Sequence, residues 1–410
     1  MPEFLHLVSR QEALRLLLNR MVCEPEPEEV DVSQALGRVT FTPLAAPQAL
    51  PAFDRSTVDG YAVIAEDTHA ASESLPVYLS LIGEILMGEM AEISLSKGQC
   101  ALIHTGGMLP PGADAVVMVE HTQPARPGEV EVLRAVSRGE NVILKGEDIA
   151  AGQEAIPKGV RLHPAEIGGV MGMGITRVSV SKPPRVGIIS SGDEIISPSQ
   201  MPGPGQVRDV NSYTLAALVT QAGGVSVLHE IAPDRSEVLE SLAKKALQDC
   251  QALVITAGSS ASTRDITAEV INRLGKPGVL VHGVNLRPGK PTILALCDGK
   301  PVIGLPGNPV SALVIGLLFV VPVIEALLGL THPGVRPQVF ARLKTNLPSQ
   351  VGREDWVPVR LSSQGEGYTA EPIFYKSNLI FTLVRAEGLL RVPPEVSGLQ
   401  AGELAEVFLF

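Results

Sequence analysis

Residues 185–194 read RVGIISSGDE, a short apolar run led by an arginine and followed at once by small residues and two acids. A run this short, rich in β-branched residues and bounded by a glycine loop, predicts a buried strand. The pattern repeats outward from it. NSYTLAALVTQAGG (211–224) reads as a helix closed by glycines, VSVLHE (225–230) as a strand, and SEVLESLAKKALQDC (236–250) as a second helix. ALVITAG (252–258), VLVHGV (279–284), TILAL (292–296) and PVIGLPG (301–307) supply further strands, and a long apolar helix to about Leu330 closes the unit. Strands alternating with helices of this length predict βαβ units and a mostly parallel sheet. Ligands of such sheets sit beyond the carboxyl ends of the strands, so the loops at 190–194, 232–235, 258–265, 287–290 and 305–309 are the candidate site.

Texture changes on both sides of this α/β domain, which spans 181–330. The expected architecture is an α/β plus β chain. Residues 8–47 read as a mainly helical segment, and 48–141 as short β runs such as VYLSLIGEI, QCALIHTGG, DAVVMVEHT and EVEVLRAV. The glycine-punctuated stretch 142–180 is expected to rejoin 8–47, which makes 48–141 an insertion. Residues 331–410 alternate in short strands (VFARLK, WVPVRLS, GYTAEPI, ELAEVFLF) and predict a small β domain.

Bulk properties exclude several classes. A net charge of −11 disfavours generic binding to nucleic acid or to an anionic membrane. Cys23, Cys100, Cys250 and Cys297 form no CxxC pair, which fits a reducing, cytoplasmic setting without disulfides or a zinc knuckle. The first twenty residues read as an amphipathic helix rather than a secretory leader. The apolar stretch 312–324 falls short of the roughly 20 residues a membrane helix needs, so no membrane span is expected.

Six constellations carry chemistry. FDRSTVDGYA (53–62) packs two acids, a base and two hydroxyls around Asp59; the same residues also suit a capped turn. HTGGMLPPGADAVV (104–117) places Thr105 and two glycines after an apolar run, a small anion nest. SSGDE (190–194) offers Ser191, Gly192 and acids for a metal or ribose hydroxyls. TAGSSASTRD (256–265) is a hydroxyl-rich loop able to cradle phosphate, without the lysine of a Walker loop. NLRPGKP (285–291) sets Arg287 and Lys290 three apart with Pro-Gly between them. LPGNPVS (305–311) is a strand-to-helix junction with Pro at the first helical turn and Ser311 nearby. Each also suits ordinary capping or a surface turn. Their shared placement favours a polyanionic ligand held with a divalent cation.

FDRSTVDGYA, TGGMLPPGADAVV, RVGIISSGDEI, RPGKP and LPGNPVSA occur in that order, and together the chain resembles the molybdopterin molybdenumtransferase family, whose eukaryotic relative is the C-terminal domain of gephyrin. The resemblance covers nearly the whole chain. It implies an elongated multi-domain subunit with an α/β pterin-binding domain, an inserted β domain and a C-terminal β-barrel, in a homodimer whose cleft draws on both subunits. It also implies a reaction: molybdate is inserted into adenylylated molybdopterin, with Mg²⁺ present and AMP released. Asp59, Thr105, Glu194, Asp234 and Asp265 fall at its catalytic positions, with Glu194 and Asp265 as metal ligands. Ser191, Gly192, Gly258, Ser259, Arg287, Lys290, Pro306, Pro309 and Ser311 fall at its substrate and oxyanion positions. A molybdopterin adenylyltransferase and recipient molybdoenzymes are the implied partners.

Three departures stand out: AGSSA at 257–261 where the family usually has SGGVS, Asp209-Val210-Asn211 for its D-S-N, and Arg287 for the first lysine of its K-P-G-K-P turn. They leave molybdate and tungstate both open. A non-catalytic pterin-binding or scaffold protein of the same fold is the alternative reading; an unrelated nucleotide-binding α/β enzyme is a third, disfavoured by the lack of G-x-G-x-x-G.

Overall fold

The computed structural model describes residues 7–257, 261–332, 337–365, 367–374 and 376–410, with the side chains of 261–265 and 364 outside the description. At its centre a six-stranded sheet runs in the order Val225–Leu228, Arg185–Ser190, Ala252–Ala257, Lys300–Pro306, Ile293–Cys297, Pro277–His282. The first four strands are parallel, as the βαβ pattern requires. The last two join antiparallel to their neighbours. Between Ile293–Cys297 and Lys300–Pro306 the cause is local: Asp298 and Gly299 both take positive φ (52° and 84°), the two-residue turn that reverses a strand directly.

Alternate residues of each strand feed opposite faces. Val186, Ile188, Val254 and Ile303 pack under the helix Asn211–Ala222, the helical run from Pro309 and the N-terminal helix Arg10–Leu18. Ile189, Leu253, Ile255 and Val302 pack under Ser236–Asp249 and Ala261–Leu274. The helix from Pro309 to Leu327 is 19 residues long, longer than the apolar stretch 312–324 suggested and long enough by length to span a bilayer. It is apolar all round because it is buried in the core against Asn211–Ala222. A π turn at Gly316–Val320 interrupts it just before Pro322, which has no N–H to continue the ladder.

The expected helix over 8–47 ends early. Only Arg10–Leu18 is α-helical, capped where Ser9 Oγ accepts the Glu12 N–H at 3.2 Å. Prolines at 25 and 27 stop a helix from re-forming, and Pro27–Asp31 instead pairs antiparallel with Arg177–Ser181. Two further antiparallel pairs join Leu44–Ala45 to Glu154–Ile156 and Arg55–Ser56 to Val142–Ile143. Both chain crossings into the β region therefore lie side by side. Between them six strands form one sheet in the order Ala115–Met118, Gly60–Val63, Gln99–Ile103, Val77–Ile85, Glu129–Val132, Thr122–Pro124.

At the C-terminus Glu354–Gln364, Gly367–Pro372, Gln338–Leu343, Leu404–Leu409 and Gly388–Val392 pair in turn, and the last pairs back onto the first. The result is a closed five-stranded barrel. Leu286–Arg287 adds to it in parallel, Leu286 opposite Glu354.

Two glycines give opposite expectations. A Cβ on Gly60 would sit 1.9 Å from the Val117 carbonyl oxygen, whereas one on the helical Gly168 meets nothing within 4 Å. Gly60→Ala is expected to destabilise by about 1–3 kcal/mol or more and lower the melting temperature. Gly168→Ala should stabilise by about 0.5–1 kcal/mol through helix propensity. Thermal melts that moved both variants the same way would contradict this packing.

Candidate functional site

The strand Arg185–Ser190 ends in a buried hydroxyl network. Ser190 Oγ donates to Asp209 Oδ1 at 2.9 Å and lies 2.9 Å from Ser212 Oγ and 3.1 Å from Thr256 Oγ1. Asp209 Oδ1 also accepts the Ser212 N–H. These bonds fix where the following loop leaves the sheet. Ser191 N–H then donates to the Thr256 carbonyl and Gly192 N–H to the Ala232 carbonyl, which stitches the loop to both neighbouring strand ends.

Acids gather at that point. Ser191 Oγ donates to Asp234 Oδ1 at 3.2 Å, and Asp234 N–H donates to Asp193 Oδ1 at 3.2 Å. The Glu194 side chain folds back over the turn, so that a Cβ on Gly192 would lie 2.8 Å from its Oε2. Burial pushes the Asp234 carboxyl up, the Ser191 hydroxyl partly opposes this, and the charges of Asp193 and Glu194 add to the rise. Oxygen-rich acid groups under such mutual repulsion suit a hard divalent cation. Among the described residues no three His, Cys, Asp or Glu side chains are already placed to share one ion. Gly258, Ser259 and the Asp265 side chain lie outside the described residues; the Asp265 backbone is in the helix Ala261–Leu274.

The same edge of the sheet continues into a basic pocket of about 540 Å³ between the α/β domain and the barrel. Arg287, Lys290 and Ser311 line it, together with Arg353, Trp356 and Ser377 from the barrel. The RPGK turn can pack here only with glycine at its third position. Gly289 has φ +105°, and a Cβ there would lie 2.2 Å from Ile315 Cδ1. Arg353 grips the buried Asp355 carboxylate through two bonds, at 2.7 and 3.0 Å, and Arg287 Nη1 lies 3.9 Å from the same group. Pro306 and Pro309 do not line the pocket; they bracket the junction whose Gly307 carbonyl accepts Asn211 Nδ2–H and whose Asn308 Nδ2–H donates to Ser377 Oγ. Sequence reading missed Arg353, Trp356 and Ser377. The only local signal was Arg-x-Asp at 353–355, a spacing that puts both side chains on one face of a strand.

In the β region, Asp59 and Thr105 meet. Asp59 Oδ1 accepts the Thr105 N–H at 2.7 Å and its hydroxyl at 3.0 Å. The anion nest expected at Thr105-Gly106-Gly107 is thus already filled by the protein's own carboxylate, and the other amides are taken: Gly106 donates to Ser56 O and Gly107 to His104 O. The Thr105 N–H, then its hydroxyl, then the positive charge of His104 hold the Asp59 carboxyl below the usual carboxylate range. Among the described residues no hydrogen bond or ion pair joins Asp59 or Thr105 to Glu194 or Asp234.

Comparison with known proteins decides what this arrangement belongs to. The MoeA N-terminal region (domain I and II) matches residues 8–174, a probable molybdopterin binding domain matches 187–326, and the MoeA C-terminal region (domain IV) matches 341–410. A molybdopterin molybdenumtransferase 2 of Mycobacterium tuberculosis is 33% identical, covering 98% of this chain and 99% of that one. The chain belongs to the molybdopterin molybdenumtransferase family. A putative molybdopterin biosynthesis protein of Methanocaldococcus jannaschii is 36% identical over 93% of this chain and 92% of that one. The crystal structure of a molybdopterin biosynthesis moeA protein from Pyrococcus horikoshii OT3 is 30% identical, with a TM-score of 0.83 over 98% of this chain and all of that one. The fold expected from the family resemblance, α/β with additional β domains and a C-terminal barrel, is the fold found.

Asp234 gives a stability prediction with a definite sign. Its folded-state pKa lies above the unfolded one, so ionised Asp234 costs stability above the folded pKa. The cost disappears as pH falls below the unfolded value. In chelator, Asp234→Asn should therefore melt higher than the parent at neutral pH and level with it in acid. A lower melting temperature at neutral pH would show that the carboxylate is stabilising instead.

Proposed function

We propose that the protein is a molybdopterin molybdenumtransferase, inserting molybdate into adenylylated molybdopterin and releasing AMP. The observation that carries this reading is the shared sheet edge, where the acids of 191–194 and Asp234 run on into the cationic pocket of Arg287, Lys290 and Arg353. A tetrahedral dianion matches guanidinium and ammonium donors on a fixed turn. Adenylate cleavage is mostly positioning and charge stabilisation, which a cation at the acid cluster provides. Glu194, with Asp265, would hold Mg²⁺, and the mutual charge of the neighbouring acids is what such an ion relieves. Mg²⁺ would supply charge neutralisation at the adenylate phosphates. Ser191 and Gly192, with Gly258 and Ser259, bind the nucleotide end. Ser311 and Ser377 orient the oxyanion, and Pro306 and Pro309 keep the junction's backbone in place.

Asp59 and Thr105 act from the β region. Among the described residues neither has a hydrogen bond or ion pair with Glu194 or Asp234 of its own chain, which supports a homodimeric cleft, each site completed by the partner subunit. The pairs of Pro27–Asp31 with Arg177–Ser181 and of Leu44–Ala45 with Glu154–Ile156 support joining 8–47 to 142–180, and the three separate six-stranded sheets support 48–141, 181–330 and 331–410 as further units. A cytoplasmic setting fits the spaced, unpaired cysteines. Partners would be a molybdopterin adenylyltransferase that supplies the substrate and molybdoenzymes that receive the cofactor.

The test is AMP release from adenylylated molybdopterin with Mg²⁺ and either molybdate or tungstate. Turnover with one oxyanion is expected; none with either leaves only the non-catalytic scaffold reading. Lys290→Ala should raise the oxyanion KM by about tenfold or more, the weight of one charge-assisted contact. Asp59→Asn should abolish turnover while the protein stays folded, and near-normal rates would misplace the site.

A further inference from the structure

Three adjacent strands of the β region place Glu84, His104 and Asp59 in a row. Asp59 precedes the strand Gly60–Val63, His104 follows Gln99–Ile103, and Glu84 is near the end of Val77–Ile85, with Gly60 opposite Ile103 and Glu84 opposite Leu102. His104 Nε2 lies 2.7 Å from Glu84 Oε1, a full hydrogen bond. His104 Nδ1 lies 4.0 Å from Asp59 Oδ1, within ion-pair reach but too long for a hydrogen bond. Each ring nitrogen thus faces a carboxylate. Only the imidazolium, with a proton on both nitrogens, satisfies the two together; a neutral ring donating to Glu84 turns a bare lone pair toward Asp59.

The same Oδ1 of Asp59 receives both Thr105 bonds, and Oδ2 takes part in none of these contacts. On flanking segments, Glu89 lies on the turn after the Glu84 strand, Arg55 is bridged to Met108, and the Lys145 N–H is bonded to Asp54. Among the described residues none of the three has a hydrogen bond or ion pair with His104.

We propose that His104 is a positioning residue for Asp59: its imidazolium, anchored by Glu84, keeps the Asp59 carboxylate oriented on Thr105, and this support ends when His104 loses its proton. The inference rests on Asp59 being an acting residue of the proposed reaction. Both carboxylates and the ring are partly exposed, so the effect is modest.

Two measurements on the full-length protein decide it. In the wild type, the ¹³C carboxyl resonance of Asp59 should show a second inflection that coincides with the titration of the His104 ring nitrogens. His104→Gln, which keeps a donor toward Glu84 but cannot titrate, should remove that inflection. Glu84→Gln, which loosens the anchor of the ring, should shrink that inflection. In turnover, His104→Gln should lower kcat by about fivefold where His104 is charged, the scale of a partly exposed ion pair. KM for the pterin should stay within about twofold, and the pH dependence on that ionisation should vanish. A single Asp59 inflection in the wild type, or an unchanged pH profile in His104→Gln, overturns the proposal. Were the wild type to release no AMP, the functional reading would fail while the resonance titration still decided the coupling.

Discussion

Two buried carboxylates, Glu354 and Asp355, hold three parts of the chain in register, and the basic pocket depends on them. Glu354 accepts from Arg10 on the N-terminal helix at 3.0 Å and from Arg391 on a barrel strand at 2.6 Å. Asp355 takes the bidentate Arg353 contact and faces Arg287 across the pocket. The backbone follows the same path, since Leu286–Arg287 pairs with this stretch of the barrel. Removing one partner of such a pair costs roughly 3–5 kcal/mol because a buried charge is left uncompensated. The pairs therefore do more to fix the arrangement than to add net stability. Asp355 uses two of the five N–H donors of Arg353 and Gln350 Oε1 takes a third, which leaves two for a ligand.

That clasp also explains how opposite electrostatics share one sheet edge. Acids crowd the end of Arg185–Ser190 and the Asp234 loop, while the cations of the RPGK turn line the pocket beside Ile293–Cys297 and Pro277–His282, three and four strands further along. The hydroxyl network of Ser190, Asp209, Ser212 and Thr256 keeps the acidic loop from relaxing away. A substrate with a phosphate end and an accompanying oxyanion can span the two only if both walls are rigid. The barrel and the parallel sheet provide those walls.

Much of this was legible along the chain. Short β-branched runs and intervening helices of ordinary length announced the parallel sheet, and the loops at its carboxyl edge were where the chemistry was sought. Two local signals point beyond that pattern. Asp298-Gly299 marks a tight reversal and so the antiparallel edge, and the prolines at 25 and 27 mark strand rather than continued helix. The composition of the Thr105 turn suits a nest for an outside anion, but the turn holds Asp59, 46 residues away in sequence. Periodicity carries no information about a contact of that kind. Trp356 and Ser377 carry no such signal for the same reason, since they reach the RPGK turn only because the barrel docks there.

The sequence by itself determined the kinds of element in the α/β domain, the family, and the candidate residues supplied at the ends of the strands in 185–309. Short-range backbone preferences and residue chemistry are local properties, and they survive in a one-dimensional reading. Only the tertiary structure decided which of those residues meet: Asp59 with Thr105 and His104, Ser191 with Asp234, and Arg287 with a pocket half built from the barrel. Those pairings are set by strand register and by buried charges seeking partners across the fold. Both depend on how the elements pack rather than on what each one is.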